Sequence, residues 1–299
     1  MRKALRSFAR SVCFPPSSAF FQSNPRTIKR GTISSISFSS SFNKPSQKSA
    51  TSTNTTMFTM KLSELTDEFD WNSTMGCTAH TMRKTGFETW GFLIYRCTYG
   101  DNEAWNRYME AFKERVHHEL EYHGRDWLLE QYAQWTVVED EETLNGASKQ
   151  QVRERFVQWR DQHSVSQELS EAVMLARQSA FWATHPSTRL PRFTYCLYVD
   201  QKCLDTLKRY SEAKASGSSL LDWPVIVMID GDYSPGGRYT HPHRRYPEVD
   251  GCTDEYVGWQ YVSAGCVATM YNSFHYERMD AGGNFNRPPT IHPMGDEFE

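Results

Sequence analysis

The sequence predicts an α+β fold in which two ferredoxin-like β-α-β halves form one compact domain behind a disordered N-terminal extension. Two observations predict this class. Short segments rich in aromatic and β-branched residues alternate with segments of helical periodicity, and the order strand, helix, strand occurs in both halves of residues 89–275. A doubly wound parallel sheet is the alternative, although the chain lacks the Gly-rich first turn typical of nucleotide-binding sheets of that kind.

The first half begins with a predicted strand at residues 90–95, followed by a helix for which Asp101 is a candidate N-cap. Apolar residues recur at spacings of three and four along that helix and form one stripe. A second strand is predicted at residues 135–138. A capping-box pattern that begins at Ser148 predicts the next helix, and a further helix is expected from about 167 to 181.

The second half repeats this order in outline. A strand is predicted at residues 193–199, followed by a helix for which Asp200 is a candidate N-cap. The most apolar strand is predicted at residues 223–229, and the last strand at residues 257–262. Ser263 is expected to cap a short helix after that strand. Right-handed crossovers follow wherever the joined strands are parallel.

Composition divides the chain into four parts. They are a basic, Ser/Thr-rich disordered leader at 1–60, a linker at 61–88, the α+β domain at 89–275 with halves at about 89–185 and 191–275, and a tail at 276–299.

Charge is unevenly distributed along the chain. Residues 1–63 contain ten basic and no acidic residues, whereas residues 64–299 contain 23 basic and 36 acidic residues, a net charge of −13. Residues 2–12 place basic and apolar side chains on opposite faces of a helix, and the leader is rich in Ser and Thr. This composition is typical of a mitochondrial transit peptide. The alternatives are a true start at Met57 or Met60, which would leave a cytoplasmic protein, and an inert tail.

Composition also excludes several classes of protein. The acidic domain disfavours nucleic acid as a partner. The longest apolar run, Val225–Ile229, is far shorter than the about 18–20 residues of a transmembrane segment. Seven scattered cysteines without a C-x-x-C pair indicate reduced thiols and no zinc-finger spacing.

Several segments resemble an uncharacterised family of ascomycete fungal proteins. They are the run from Thr89 to Asp101 with Trp105 behind it, the run Trp135-Thr-Val-Val-Glu-Asp140 with the helix start and Trp159 that follow, the strand Gly258–Val262, and Arg287-Pro-Pro289. The resemblance covers roughly residues 85–290 and implies a fungal source. The family has no assigned activity, so the resemblance implies no mechanism.

The long predicted loop after residue 229 contains the candidate metal ligands. Asp230 and Asp232 directly follow a buried strand, and carboxylates in that position can hold a divalent metal ion such as Mg²⁺ or Mn²⁺. His241 and His243 lie in the same loop and would complete a mixed site. Asp200 also follows a strand, and open α/β sheets bind ligands beyond the carboxyl ends of strands. Ordinary turn formation by Asp and Gly is the alternative explanation.

Four further residues are candidates for ligand binding. Arg244 and Arg245 follow the two histidines and could bind an anion, although they equally suit a solvated basic loop. Trp90 and Trp135 could line a pocket between the two halves, although core packing accounts for most aromatic residues on strands.

The sequence contains none of the short motifs that identify hydrolases, P-loop proteins, zinc proteases or dinucleotide-binding proteins. We therefore expect a soluble, non-catalytic α+β protein that binds a small molecule or a protein partner. The alternative is a metal-assisted hydrolase or transferase that uses the loop containing Asp230, Asp232, His241 and His243.

Overall fold

The structure is a computed structural model. It describes residues 60–66, 69, 74–163, 190–217, 224–236, 245–281, 283–293 and 298. The predicted leader, apart from Met60, and the helix predicted at about 167–181 lie outside the described residues.

The described residues form one six-stranded mixed sheet with the strand order β2-β1-β3-β4-β5-β6. All of these strands run in one direction except β4, which is antiparallel to both of its neighbours. The strands are β1 Leu93–Arg96, β2 Thr136–Val138, β3 Tyr195–Val199, β4 Val225–Asp230, β5 Trp259–Ser263 and β6 Ile291–His292.

Eight helices accompany this sheet in the described part of the chain, which confirms the α+β class. The long helices are α1 Gly76–Thr85, α2 Asn102–Tyr122, α5 Lys149–Gln162 and α7 Gln201–Ser216. The short helices are α3 Asp126–Leu129, α4 Glu141–Leu144, α6 Pro191–Thr194 and α8 Val267–Ser273. Single 3-10 turns lie at Leu62–Glu64, Glu130–Tyr132 and Ala264–Cys266.

The ferredoxin-like arrangement of the two halves is not confirmed by the strand order. In a split β-α-β unit another strand lies between the two parallel strands, whereas β1 and β2 are direct neighbours. In the second half, β3 and β4 are antiparallel neighbours although helix α7 joins them. The order β2-β1-β3 with three parallel strands matches the alternative, a doubly wound arrangement.

Helix α7 explains why β4 runs against β3. The first two turns of α7 pack on the sheet through the buried residues Cys203 and Leu204. The hydroxyl of Thr206 accepts a hydrogen bond from the backbone N–H of Val225 at 3.0 Å, so β4 begins beside the second turn of α7. Strand β4 therefore begins at the same end of the sheet at which β3 ends.

The sheet carries helices on both faces. Tyr195 packs against Phe274, which follows α8, with ring centroids 4.3 Å apart. Tyr198 instead donates a hydrogen bond to the carbonyl of Ala147, at the start of α5. Side chains three residues apart on a strand point to opposite faces, so α8 and α5 cover opposite sides of β3.

Three predicted helix starts are confirmed. The Asp200 carboxylate accepts the backbone N–H of Cys203 at 3.0 Å at the start of α7. The Asp101 carboxylate accepts the backbone N–H of Ala104 at 2.9 Å, as an N-cap does. Ser148 and Gln151 form the reciprocal capping box at the start of α5.

Two segments that the sequence assigns to a linker and a tail belong to the folded domain. Helix α1 lies within residues 61–88, and the Asn272 side chain in α8 accepts hydrogen bonds from the N–H and the hydroxyl of Thr78. Strand β6 lies within residues 276–299 and pairs with β5. Sequence periodicity misses both segments because α1 buries two apolar side chains, Ala79 and Met82, which form too short a stripe, and because β6 has only two residues.

Six of the seven cysteines lie in the described part of the chain, and all six are free thiols. Among the helices that the structure describes, none is long and apolar enough to cross a membrane.

The buried guanidinium of Arg153 joins α5 to the end of the sheet. It donates to the backbone carbonyl of Asp230 at 2.9 Å and to that of Gly258 at 3.0 Å. It also lies 4.9 Å above the ring of Tyr233. One side chain on α5 therefore donates hydrogen bonds to two carbonyls, one at the end of β4 and one just before the start of β5.

We expect Arg153→Ala to destabilise the protein by about 2–5 kcal/mol, because two buried carbonyls lose a charged donor. Arg107 is the matched control, since its side chain is 55% exposed and, among the described residues, pairs only with Glu103 one helical turn away. Arg107→Ala should cost less than about 1 kcal/mol. Urea unfolding of the two variants measures the difference, and equal midpoints would contradict this role of Arg153.

Candidate functional site

Both carboxylates of the predicted metal site already form hydrogen bonds or ion pairs with other groups of the protein. Asp230 is buried, and its carboxylate accepts the hydroxyl of Tyr256 at 2.7 Å and the N–H of Asp232 at 2.9 Å. Arg278 lies 3.5 Å away. Burial raises the pKa of Asp230 even though these partners favour the ionised form. Asp232 itself pairs with Arg160 at 2.6 Å.

Asp230 also lies at the other end of the sheet from Asp200. Because β4 is antiparallel, Asp230 pairs with Tyr195 at the start of β3, whereas Asp200 follows the end of β3. Asp230 and Asp200 therefore lie at opposite ends of the sheet and cannot share one site.

His241, His243 and Arg244 lie outside the described residues, so their convergence with the two aspartates stays a prediction. Within the described ranges, no group of three His, Cys, Asp or Glu side chains could hold a metal ion. Arg245 is described and lies exposed on the surface.

Trp90 and Trp135 pack in the core. Trp90 is fully buried, and its indole N–H donates to the backbone carbonyl of Leu129 at 2.7 Å. The two tryptophans meet edge to face at 5.5 Å, and Trp135 meets Phe112 in the same way at 5.1 Å. These contacts account for both residues through packing alone.

The structure contains a cavity of about 560 Å³ beyond the carboxyl ends of β5 and β6. Helix α2 contributes one wall through Arg115, His118, Glu119 and Tyr122, which share a helical face. The segment after β5 contributes the facing wall through Gly265, Cys266, Thr269, Met270 and Ser273. The lining is completed by His123, Asn284, His292 and Pro293. The cavity therefore lies where two helices and two strand ends meet.

The Glu119 carboxylate holds the two walls together. One of its oxygens accepts the N–H of Ala268 at 2.9 Å, and the other accepts the N–H of Thr269 at 2.8 Å and the Thr269 hydroxyl. These N–H groups belong to the first turn of α8, whose own N-cap residue Cys266 makes no capping bond. Glu119 on α2 therefore caps α8 from outside.

Burial raises the pKa of the Glu119 carboxylate. Glu119 is 6% exposed, and desolvation raises its pKa to about 7 although Thr269, Ala268 and Arg115 favour the charged form. A carboxyl group with that pKa is partly protonated at neutral pH, so it can take up or release a proton near physiological pH.

A short chain of hydrogen bonds leads from Glu119 to a histidine. The Thr269 hydroxyl contacts Glu119 on one side and His123 Nε2 on the other, at 3.4 Å. Burial lowers the pKa of His123, with a further contribution from Arg125, so the imidazole is mainly neutral at pH 7. A carboxyl, a hydroxyl and a neutral imidazole thus lie in contact at the cavity wall.

The pKa values of two other lining groups are also shifted in the direction that favours the neutral form. Burial lowers the pKa of His292, whose Nδ1 is buried and has no hydrogen-bond partner in the described structure. Burial raises the pKa of the Cys266 thiol to about 12, so this thiol is a poor nucleophile.

Sequence reasoning missed this site, although part of the signal is present in the sequence. One face of α2 carries polar residues at the spacing i, i+3, i+4, i+7, namely Arg115, His118, Glu119 and Tyr122. This spacing indicates a polar stripe beside the apolar stripe, and such a stripe can line a site. From the sequence alone, His118 and Tyr122 on that face indicate only a polar helix flank. Nothing local indicates that Glu119 is buried, because its partners lie about 150 residues away.

Comparison with known proteins finds no matching family model, no matching curated protein and no matching solved structure.

Replacement of Glu119 by Gln tests the buried carboxylate. The folded protein raises this pKa from the ordinary 4.5 to about 7, so the stability contribution is fully present below pH 4.5 and is lost as pH rises through about 7. Stability of Glu119→Gln relative to the native protein should therefore increase between pH 4.5 and 7.5, by on the order of 3 kcal/mol.

The matched control is Glu110→Gln, on the exposed face of the same helix. Because Glu110 is exposed, its replacement should change stability little at each of these pH values. Chemical unfolding at five or six pH values measures both differences, and a flat profile for Glu119→Gln would contradict a dominant effect of burial on this carboxyl.

Proposed function

We propose that this chain is a small-molecule-binding protein whose ligand occupies the cavity between α2 and α8. The observation that carries the proposal is the cavity itself, whose volume of about 560 Å³ lies within the usual range of roughly 300–1,000 Å³ for ligand sites. Its place supports the same conclusion, because sheets with parallel strands bind ligands beyond the carboxyl ends of those strands.

The lining suits a ligand with an apolar body and one polar end. Tyr122, Met270 and Pro293 supply apolar surface, and Tyr122 is 86% exposed at the rim. Arg115 and Ser273 supply polar groups on the facing walls. Ligand sites commonly combine an apolar lining with a small number of polar groups that fix the orientation of the ligand.

The walls are held in place before any ligand arrives. The bonds from α8 to Glu119 fix the first turn of that helix against α2. On the other side of α8, the Asn272 side chain accepts two hydrogen bonds from Thr78 in α1. A preformed site loses less conformational entropy when a ligand binds, which favours affinity.

Filling the cavity should abolish binding. Gly265 lines the cavity, and Gly265→Leu places a branched side chain in it without a backbone contact closer than 3.4 Å at the Cβ position. Gly100→Leu is the matched control, because that glycine has open space around it and an ordinary backbone conformation. Ser273→Leu is a second filling variant from α8.

The probes are 2-naphthoate, 2-naphthamide and 2-naphthylmethylamine, which share one shape and differ in charge. We expect saturation-transfer NMR to detect at least one probe bound to the native protein and to Gly100→Leu. The signal should be lost in both filling variants. Absence of binding by all three probes to the native protein, or unchanged binding in the filling variants, would contradict the proposed function.

A further inference from the structure

We propose that the ligand of this cavity is an uncharged aromatic compound whose ring lies against Tyr122 at the rim. This inference rests on the proposed function and adds the chemical class of the ligand. Two features carry it. Exposed aromatic side chains lie at the mouth of the cavity, and the charged groups of the lining already have partners within the protein.

Exposed aromatic side chains gather at the mouth of the cavity. Among the described residues, three large apolar side chains are exposed, those of Tyr122, Val137 and Tyr276. Tyr122 is 86% exposed and lines the cavity. The Tyr276 hydroxyl donates a hydrogen bond to Oγ of the lining residue Ser273 at 3.4 Å. Apolar surface that stays exposed around a cavity commonly marks the place where a ligand or partner binds.

The ring of Tyr122 can contact the ring of a ligand. The His123 imidazole, which also lines the cavity, meets the Tyr122 ring edge to face with the centroids 5.0 Å apart. This contact supports the Tyr122 ring and leaves most of its surface exposed. Aromatic rings prefer offset-stacked or edge-to-face neighbours at such distances. An aromatic ligand would therefore gain a ring contact here in addition to the burial that an aliphatic ligand gains.

The two residues of the described lining that carry opposite full charges, Arg115 and Glu119, are both engaged by the protein. Donors from Ala268 and Thr269 engage both oxygens of the Glu119 carboxylate. Arg115 already interacts with other groups of the protein, and its charge favours the ionised form of Glu119. A charged ligand would therefore compete with these internal partners for either residue.

The histidines and the cysteine of the described lining add no counter-charge. His118 pairs with Glu121 at 3.0 Å on the surface of α2. Burial lowers the pKa values of His123 and His292 and raises that of Cys266, and each change favours the neutral form. A carboxylate or ammonium group would therefore lose hydration in the cavity without gaining a new partner of opposite charge. An amide or hydroxyl group loses less hydration and suits a neutral lining.

The naphthyl probes test the charge of the ligand on the native protein, with no variant needed. At pH 7.5 we expect 2-naphthamide to bind at least about tenfold more tightly than both 2-naphthoate and 2-naphthylmethylamine. NMR titration with each probe measures the three dissociation constants. Binding of the acid or the amine as tight as that of the amide would overturn the uncharged class.

The decahydro form of 2-naphthamide tests the aromatic ring, because it keeps the carbon skeleton and the amide and lacks the π-system. We expect it to bind about threefold to tenfold more weakly than 2-naphthamide. Equal affinities of the two amides for the native protein would contradict the ring contact.

Replacement of Tyr122 locates that contact. Tyr122→Ala should weaken the binding of 2-naphthamide by about threefold to tenfold and remove the preference for the aromatic amide, whereas Tyr122→Phe should retain both. Val137→Ala is the matched control, because it also shortens an exposed apolar side chain and Val137 is not among the described residues that line the cavity. This control should leave the affinity unchanged. An affinity for 2-naphthamide that is the same in Tyr122→Ala and in the native protein would overturn the role of Tyr122.

The outcomes separate this inference from the proposed function. If 2-naphthoate or the amine binds as tightly as 2-naphthamide and Gly265→Leu abolishes that binding, the cavity is a ligand site and the uncharged class is wrong. If none of the three naphthyl probes binds the native protein, the proposed function itself fails.

Discussion

The contact between Glu119 and the first turn of α8 is the interaction on which the candidate site depends. Helix α8 has only seven residues and no cap of its own, so its first N–H groups need an acceptor from elsewhere. Glu119 supplies that acceptor from the middle of α2, at the cost of a buried carboxylate. Burial and capping act in opposite directions on its pKa, and burial dominates. The same side chain therefore fixes the cavity wall and can exchange a proton near neutral pH.

The sheet places this contact at the edge where ligands of parallel sheets bind. Strands β5 and β6 are parallel, so both deliver their carboxyl ends to the cavity. The single antiparallel strand β4 carries Asp230 to the opposite edge, where Tyr256 and Arg278 engage it. The direction of β4 thus explains why Asp230 and Asp232 lie away from the cavity. The carboxylate on the cavity wall is instead that of Glu119, in the middle of α2.

Local features of the fold could be predicted from the sequence, and features set by distant contacts could not. Asp101 and Ser148 each cap a helix through the residue three positions away, and both predictions are confirmed. Ser263 was expected to cap the last helix, but its hydroxyl makes no capping bond, and Glu119 does so from about 150 residues away. The direction of β4 is accompanied by the hydrogen bond between Val225 and Thr206 in α7, a contact that helical periodicity does not encode. The cavity likewise forms only when α2, α8 and β6 meet.

The central claim is that Glu119 is a buried carboxyl that joins α2 to α8 at a ligand site. The most direct measurement is a carbon-13 NMR titration of the side-chain carboxyl of Glu119 in the full chain. The account predicts a midpoint at about pH 7, well above the ordinary value for a glutamate carboxyl. A midpoint near the ordinary value of about 4.5 would contradict it, because burial would then not dominate the pKa of this carboxyl.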